Sequence, residues 1–81
     1  MRERILHELT LIFREVFEDS SIILTYETTA ADIEEWDSLE QISLIVSIES
    51  QYEIKMNIKE VNSLNNVGEM VDYLVEKVQG Q

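Results

Sequence analysis

The strongest constraint on this fold is the spacing of its apolar residues, which recur at every third or fourth position near both ends. In residues 2–17 the stripe comprises Ile5, Leu6, Leu9, Ile12, Phe13, Val16 and Phe17. In residues 67–78 it comprises Val67, Met70, Val71, Leu74, Val75 and Val78, and Gly80 follows. This period is that of an amphipathic helix. A chain with no proline and two glycines also has few residues that interrupt helices.

The centre of the chain predicts two further helices. One begins at Asp37 or Ser38 and runs to about Gln51, with Asp37 and Glu40 at the spacing of a capping box. We expect its buried stripe to comprise Leu39, Ile42, Ile45, Val46, Ile48 and Tyr52. Residues 57–63 predict a short helical turn that packs Ile58, Val61 and Leu64, and Asn65 or Asn66 is expected to cap the last helix. The prediction is an all-α fold, a small four-helix bundle with a short third helix, forming one domain over residues 1–81.

The segment between the first two helices is ambiguous from sequence. Residues 22–26 have the composition of a strand, but they have no second strand with which to pair. We therefore predict an ordered loop of roughly 17–20 residues, with Ile22, Leu24 and Ile33 packed on the helices. Loops of this length are often functional.

The charge of the chain is concentrated in the forty residues between Arg14 and Lys55, which contain no basic side chain. The acids there are Glu15, Glu18, Asp19, Glu27, Asp32, Glu34, Glu35, Asp37, Glu40, Glu49 and Glu53. The other six of the 17 acids balance the six Lys and Arg, so the net charge of −11 comes from this stretch. Such charge argues against nucleic acid and anionic membrane partners and favours proteins with a basic docking face.

Several classes of site are disfavoured. The chain has no cysteine, which excludes a disulfide, a thiolate nucleophile and a cysteine metal site. The acids from Asp32 to Asp37 lack the spacing and central glycine of an EF-hand, so we expect no metal site. His7 lies on the first helix without an acid to orient it, so we expect no catalytic residue. No apolar run has the length of a membrane span or the form of a signal peptide, and we expect a cytoplasmic protein.

Ser38 is the principal candidate for a functional residue. At the start of a helix, unpaired N–H groups and the helix dipole favour a phosphate esterified to the serine hydroxyl. Ordinary capping would also explain an Asp-Ser pair at this place.

The preceding Trp36 is compatible with a partner anchor, but we favour packing on the first helix or the loop, which would set the direction of the second helix.

With this placement, Asp37-Ser38-Leu39 resembles the hallmark of the acyl carrier protein family, which includes peptidyl carriers. The apolar run 44–52, Glu60 and Val67 also fall at family-like positions. The resemblance implies that a phosphopantetheinyl transferase attaches 4'-phosphopantetheine from coenzyme A to Ser38, within the motif formed with Asp37 and Leu39. The thiol of this arm would carry acyl or aminoacyl groups as thioesters. The protein itself would not be an enzyme.

The resemblance also implies a docking surface on the second helix. Its candidates for partner docking are Glu40, Glu49, Glu53 and Ile42, and its candidates for contact with the cargo are Ile42, Ile45 and Val46. The implied partners are the transferase, a loading ligase, and acyl-transfer or condensing enzymes with basic docking faces. We expect a monomer, because a four-helix core consumes about one apolar stripe per helix.

Some residues depart from the pattern of fatty-acid carriers. Trp36 precedes the motif, Ser43 replaces a common docking glutamate, and Asn57 replaces a common proline. These departures favour a free-standing carrier of a specialised polyketide, lipid or related pathway over ordinary fatty acid biosynthesis. A peptidyl or aminoacyl carrier remains an alternative, as does an unmodified acidic helical adaptor that binds a basic partner.

Overall fold

The computed structural model describes residues 1–33 and 36–79, with only the backbone described at Ser38. Its helices are α1 (Arg2–Val16), α2 (Ser38–Tyr52), α3 (Ile58–Asn62) and α4 (Val67–Gln79), and a 3₁₀ turn spans Ala30–Asp32. This arrangement confirms the predicted all-α fold with a short third helix and a long first loop. The expectations for Glu34, Glu35 and Gly80 lie outside the described residues.

Helix α1 supplies the centre of the core. Ile5, Leu9 and Phe13 are buried along one face, which packs against α2 and α4. The helix ends at Val16, one residue before the predicted end, and Phe17 is its buried C-terminal cap. The periodicity of the sequence therefore located this helix and its buried face correctly.

The predicted buried stripe of α2 is partly wrong. Ile45 and Ile48 are buried as expected, together with Leu44, which the prediction left out. By contrast, the exposed fractions of three predicted core residues are large. They are 71% for Leu39, 55% for Ile42 and 58% for Val46. Apolar residues occur around much of this helix, so contact with α1 decides which of them are covered.

The chain between α1 and α2 is an ordered loop, as predicted. Ile22, Leu24 and Ile33 are buried in the common core. The loop is also fixed by polar contacts, because the Nε group of Arg14 in α1 donates a 2.7 Å hydrogen bond to the carbonyl of Ile22. A segment with strand-like composition thus folds back onto the helices without a strand partner among the described residues.

Side-chain caps define the starts of α3 and α4. The Asn57 side chain accepts hydrogen bonds from the Lys59 and Glu60 backbone N–H groups at the start of α3. Asn66 accepts from the Glu69 N–H at 2.9 Å, which confirms one of the two caps predicted for α4. Ile58, however, is 54% exposed, so its predicted packing is wrong, whereas the nearby Val61 is buried.

The four helices are short relative to a bilayer. Within residues 1–33 and 36–79, no helix has both the length and the apolar character needed to cross a membrane.

Candidate functional site

Ser38 is the first residue of α2, and Asp37 caps that helix. Asp37 has an extended backbone, and its carboxylate accepts a 2.9 Å hydrogen bond from the Glu40 N–H. This is one of the two hydrogen bonds of the predicted capping box, and it satisfies one of the unpaired donors of the first turn. Asp37 and Leu39 are both exposed, so the residues on either side of Ser38 face solvent.

Trp36 fixes the chain immediately before this turn. Its indole meets the ring of Phe13 edge-on, with the two ring centroids 5.1 Å apart, and lies 6.4 Å from the Phe17 ring. Its Nε1 group donates a hydrogen bond to the side-chain oxygen of Gln41 on α2. The expected packing of Trp36 on the first helix is confirmed. The contact with Gln41 was not predicted. The two residues occupy the positions that a hydrophobic staple pairs, but Gln41 is polar and so lacks the apolar signature of that motif.

A groove of about 510 Å³ begins beside Asp37 and runs between α2 and the segment that contains α3. Its lining residues are Ala30, Trp36, Asp37, Gln41, Ile42, Ile45, Ile58, Val61, Asn62, Leu64, Asn65, Asn66 and Met70. Ile45, Val61 and Met70 are buried and form its apolar floor, whereas Asp37, Gln41 and Asn62 are polar. The groove thus combines polar groups near the start of α2 with an apolar surface.

Two of the three residues predicted to contact cargo line this groove. Ile42 and Ile45 do so, whereas Val46 lies beside Ile12 and Val16 in a separate concavity between α1 and α2. Leu39, Ile42 and Val46 recur at intervals of three and four residues and therefore share one outer face of the helix. We call these three residues the apolar stripe of α2.

The acids predicted to meet partners have different local roles. Glu40 is half-buried in the first turn of α2. The carboxylate of Glu49 accepts a 2.8 Å hydrogen bond from the Met56 N–H, so it holds the chain that leads to α3. Glu53 is exposed and ends α2 in a left-handed conformation, with φ of 53°. The structural role of Glu49 was missed, since a carboxylate seven residues from its partner has no sequence signature.

The single histidine of the chain does not line the groove. His7 is exposed on α1. In the part of the chain that the structure describes, no three His, Cys, Asp or Glu side chains are grouped so that they could hold a metal ion.

Comparison with known proteins defines the class. Residues 7–74 match the family described as "Phosphopantetheine attachment site", and the chain belongs to this family. Its fold is also similar to the solution NMR structure of the holo acyl carrier protein from Geobacter metallireducens, with a TM-score of 0.85. The two chains are 50% identical over 91% of this chain and 85% of that one. The predicted membership of the acyl carrier protein family is confirmed, and the chain is a carrier rather than an enzyme.

The cofactor of this family is covalently attached phosphopantetheine. The residues beside the start of α2 fit such a group chemically. Gln41 and Asn62 offer side-chain amides that can meet polar groups of the arm, and the floor at Ile45, Val61 and Met70 offers an apolar surface. The arm would supply the thiol that a chain without cysteine lacks.

Proposed function

We propose that the chain is an acyl carrier protein, one carrier domain over residues 1–81, in which the hydroxyl of Ser38 is the attachment point for phosphopantetheine. The observation that carries this assignment is the position of Ser38. It is the first residue of a 15-residue helix, and it directly follows the exposed cap Asp37, which lines the groove. The unpaired N–H groups of that first turn favour the negative charge of a phosphate.

The attachment is a phosphoryl transfer carried out by a partner enzyme. The Ser38 hydroxyl oxygen bonds to the phosphorus of the pantetheine phosphate of coenzyme A, and an adenosine bisphosphate leaves. The hydroxyl proton passes to a base of the transferase. Acyl groups are then carried as thioesters on the terminal thiol, and aminoacyl groups would use the same bond.

The outer face of α2 is the proposed docking surface for the transferase, the loading ligase and the acyl-transfer or condensing enzymes. The apolar stripe of α2 supplies contact area, and Glu40 and Glu53 supply negative charge for basic partners. The carboxylate of Glu49 also accepts a hydrogen bond from the Met56 N–H, so this residue has a structural role besides any role in docking. Trp36, Ser43 and Asn57 depart from the residues that fatty-acid carriers usually have there, which supports a specialised polyketide, lipid or related pathway. The proposal places the carrier in the cytoplasm, as a monomer.

The test is intact mass spectrometry of the apo protein before and after incubation with coenzyme A, Mg²⁺ and a broad-specificity phosphopantetheinyl transferase. We expect a gain of one phosphopantetheine that maps to the peptide containing Ser38. Ser38→Ala should not gain this mass and should keep its helical circular dichroism. Ser43→Ala is the matched control, since Ser43 is exposed on the same helix, and it should be loaded normally. Loading of Ser38→Ala would overturn the site assignment.

A second candidate is an unmodified acidic adaptor. The exposure of the apolar stripe of α2 favours it, because such a surface can bind a partner without a prosthetic group. This alternative predicts that the folded wild-type protein gains no mass in the same experiment. It also predicts that partner binding is equally tight in wild type and Ser38→Ala.

A further inference from the structure

The pair formed by Trp36 and Gln41 fixes the orientation of an amide at the groove. An indole N–H is a donor only, so the Gln41 atom that faces it must be the side-chain oxygen. The Nε2 group of Gln41, which carries two N–H donors, therefore points away from the indole. Gln41 lies three residues after Ser38, about one turn along α2, and it lines the groove.

This orientation is held by the core. Trp36 packs edge-on against the fully buried ring of Phe13, so the group that selects the orientation of Gln41 is itself fixed by packing. Among the described residues, no hydrogen bond takes up Nε2 of Gln41. Gln41 is half-buried. In the same part of the chain, no unpaired side-chain nitrogen or oxygen is completely buried, so this Nε2 group keeps some exposed surface. The result is a fixed, accessible donor near the attachment residue.

We infer that Gln41 is a binding residue for the attached arm, and this inference rests on the proposed attachment at Ser38. Its Nε2 group donates to an acceptor oxygen in the part of the arm nearest Ser38, either of the phosphate or of the first amide carbonyl. Both are acceptors within the reach expected for residues three apart on a helix. Trp36 is the positioning residue, because it holds the Gln41 oxygen and so turns Nε2 outward.

The consequence is a preferred direction for the arm. An arm held at Gln41 is directed along the groove toward the apolar floor at Ile45, Val61 and Met70, where an apolar acyl group is covered from water. Without this contact, the arm leaves the groove more often, because the hydrogen bond nearest its attachment point is lost.

NMR spectroscopy of the fully loaded protein tests this inference. We compare the Gln41 side-chain amide and Trp36 indole resonances in the apo and holo forms, and measure relaxation of the arm's methyl groups. In wild type, the Gln41 amide should shift on loading and the arm should be restrained. The population of the docked arm should fall roughly two- to tenfold in Gln41→Leu and in Trp36→Phe. The second variant keeps an aromatic ring beside Phe13.

Gln51→Leu is the matched control, because Gln51 is an exposed glutamine of α2 that does not line the groove. It should match wild type. A ³¹P shift that differs between holo wild type and holo Gln41→Leu identifies the phosphate as the acceptor. An unchanged ³¹P shift with altered resonances at the first amide identifies the carbonyl. Unmoved Gln41 amide resonances in protein whose mass shows full loading would overturn the inference and leave the proposed function standing. Failure of the folded protein to load at Ser38 would overturn both.

Discussion

The backbone N–H of Gly68 in α4 donates a 2.8 Å hydrogen bond to the carbonyl oxygen of Tyr26 in the long loop. The preceding N–H, that of Val67, donates to the carbonyl of Thr28 at the same distance. Two donors at the start of α4, which no turn of their own helix can satisfy, are thus paired with the loop. This contact anchors the loop that leads to Trp36 and the start of α2.

Gly68→Ala should destabilise the fold. A Cβ at this position would lie 2.8 Å from the Tyr26 carbonyl oxygen, a backbone atom that cannot rotate away. We expect a loss of about 1–3 kcal/mol in the free energy of unfolding, which urea denaturation would measure. Ser50→Ala, on the exposed side of α2, is the control and should stay within about 0.5 kcal/mol of wild type. A Gly68→Ala protein as stable as wild type would show that the loop can move away from α4.

Tyr52→Phe should weaken the contact between α2 and α1. The Tyr52 hydroxyl donates a 2.7 Å hydrogen bond to the Glu8 carboxylate, and this bond lowers the pKa of Glu8. At neutral pH we expect the free energy of unfolding to fall by about 0.5–1.5 kcal/mol, which urea denaturation would measure. A carboxyl group whose pKa is lowered by folding stabilises the fold at pH values above its pKa in the unfolded chain. The difference in stability between Tyr52→Phe and wild type should therefore shrink as the pH falls through the pKa of folded Glu8.

The same pair gives an expectation at alkaline pH. Burial, and then the hydrogen bond to Glu8, raise the pKa of Tyr52 above its ordinary value. The unfolded chain releases this proton at about pH 10, whereas the folded chain retains it, so wild type should lose stability above that pH. Tyr52→Phe should lack this component of the loss. Identical stability profiles for the two proteins from pH 9 to 11 would contradict the expectation.

The observed register of α2 predicts a large effect on stability at one position and a small effect two residues away. Leu44→Ala truncates a side chain with no exposed surface. We expect the free energy of unfolding to fall by about 2–5 kcal/mol, as measured by thermal or urea unfolding. Ile42→Ala, at a residue that is more than half exposed, should change stability by less than about 1 kcal/mol. If Ile42 were the more sensitive position, the stripe expected from sequence would be restored.

Glu49→Ala should destabilise the chain leading to α3, even without a partner. The Glu49 carboxylate accepts a hydrogen bond from the Met56 N–H, and a bond to a charged acceptor contributes about 1.5–3 kcal/mol. Part of this is screened, because Glu49 is only half-buried. Thermal unfolding measures the loss, and amide exchange at Met56 should quicken. Unchanged exchange at Met56 would argue that Glu49 is free to serve docking alone.

Screening of the acidic stretch should stabilise the fold. Eleven acids and no basic side chain lie between Arg14 and Lys55, so their mutual repulsion opposes compaction. Raising NaCl from 10 to 150 mM shortens the Debye length from about 30 to about 8 Å, and the Tm should rise. Mg²⁺ should act at lower concentration. A Tm independent of salt would mean that the charges are too widely spaced to matter.

The sequence was most informative where the spacing of apolar residues was compatible with a single buried face. In α1 and α4 the apolar residues form a single stripe, so period alone gave the helix and its buried face. Short-range caps were equally readable, since Asp37 and Asn66 each meet an N–H three residues ahead. The class of the protein followed from a resemblance to a known family, carried by Asp37-Ser38-Leu39 together with its placement at a helix start and the length and charge of the chain.

Tertiary structure decided what local pattern left open. Apolar residues lie around much of α2, so contact with α1 buried Leu44 and left Leu39, Ile42 and Val46 in solvent. Long-range pairing likewise set the loop on α4 through Tyr26. Packing on Phe13 fixed the Trp36 indole, which turns the Gln41 amide. A helical period records which residues share a face, but it holds no information on which face a neighbouring helix covers. That choice depends on the free energy of the whole core, which only the folded chain determines.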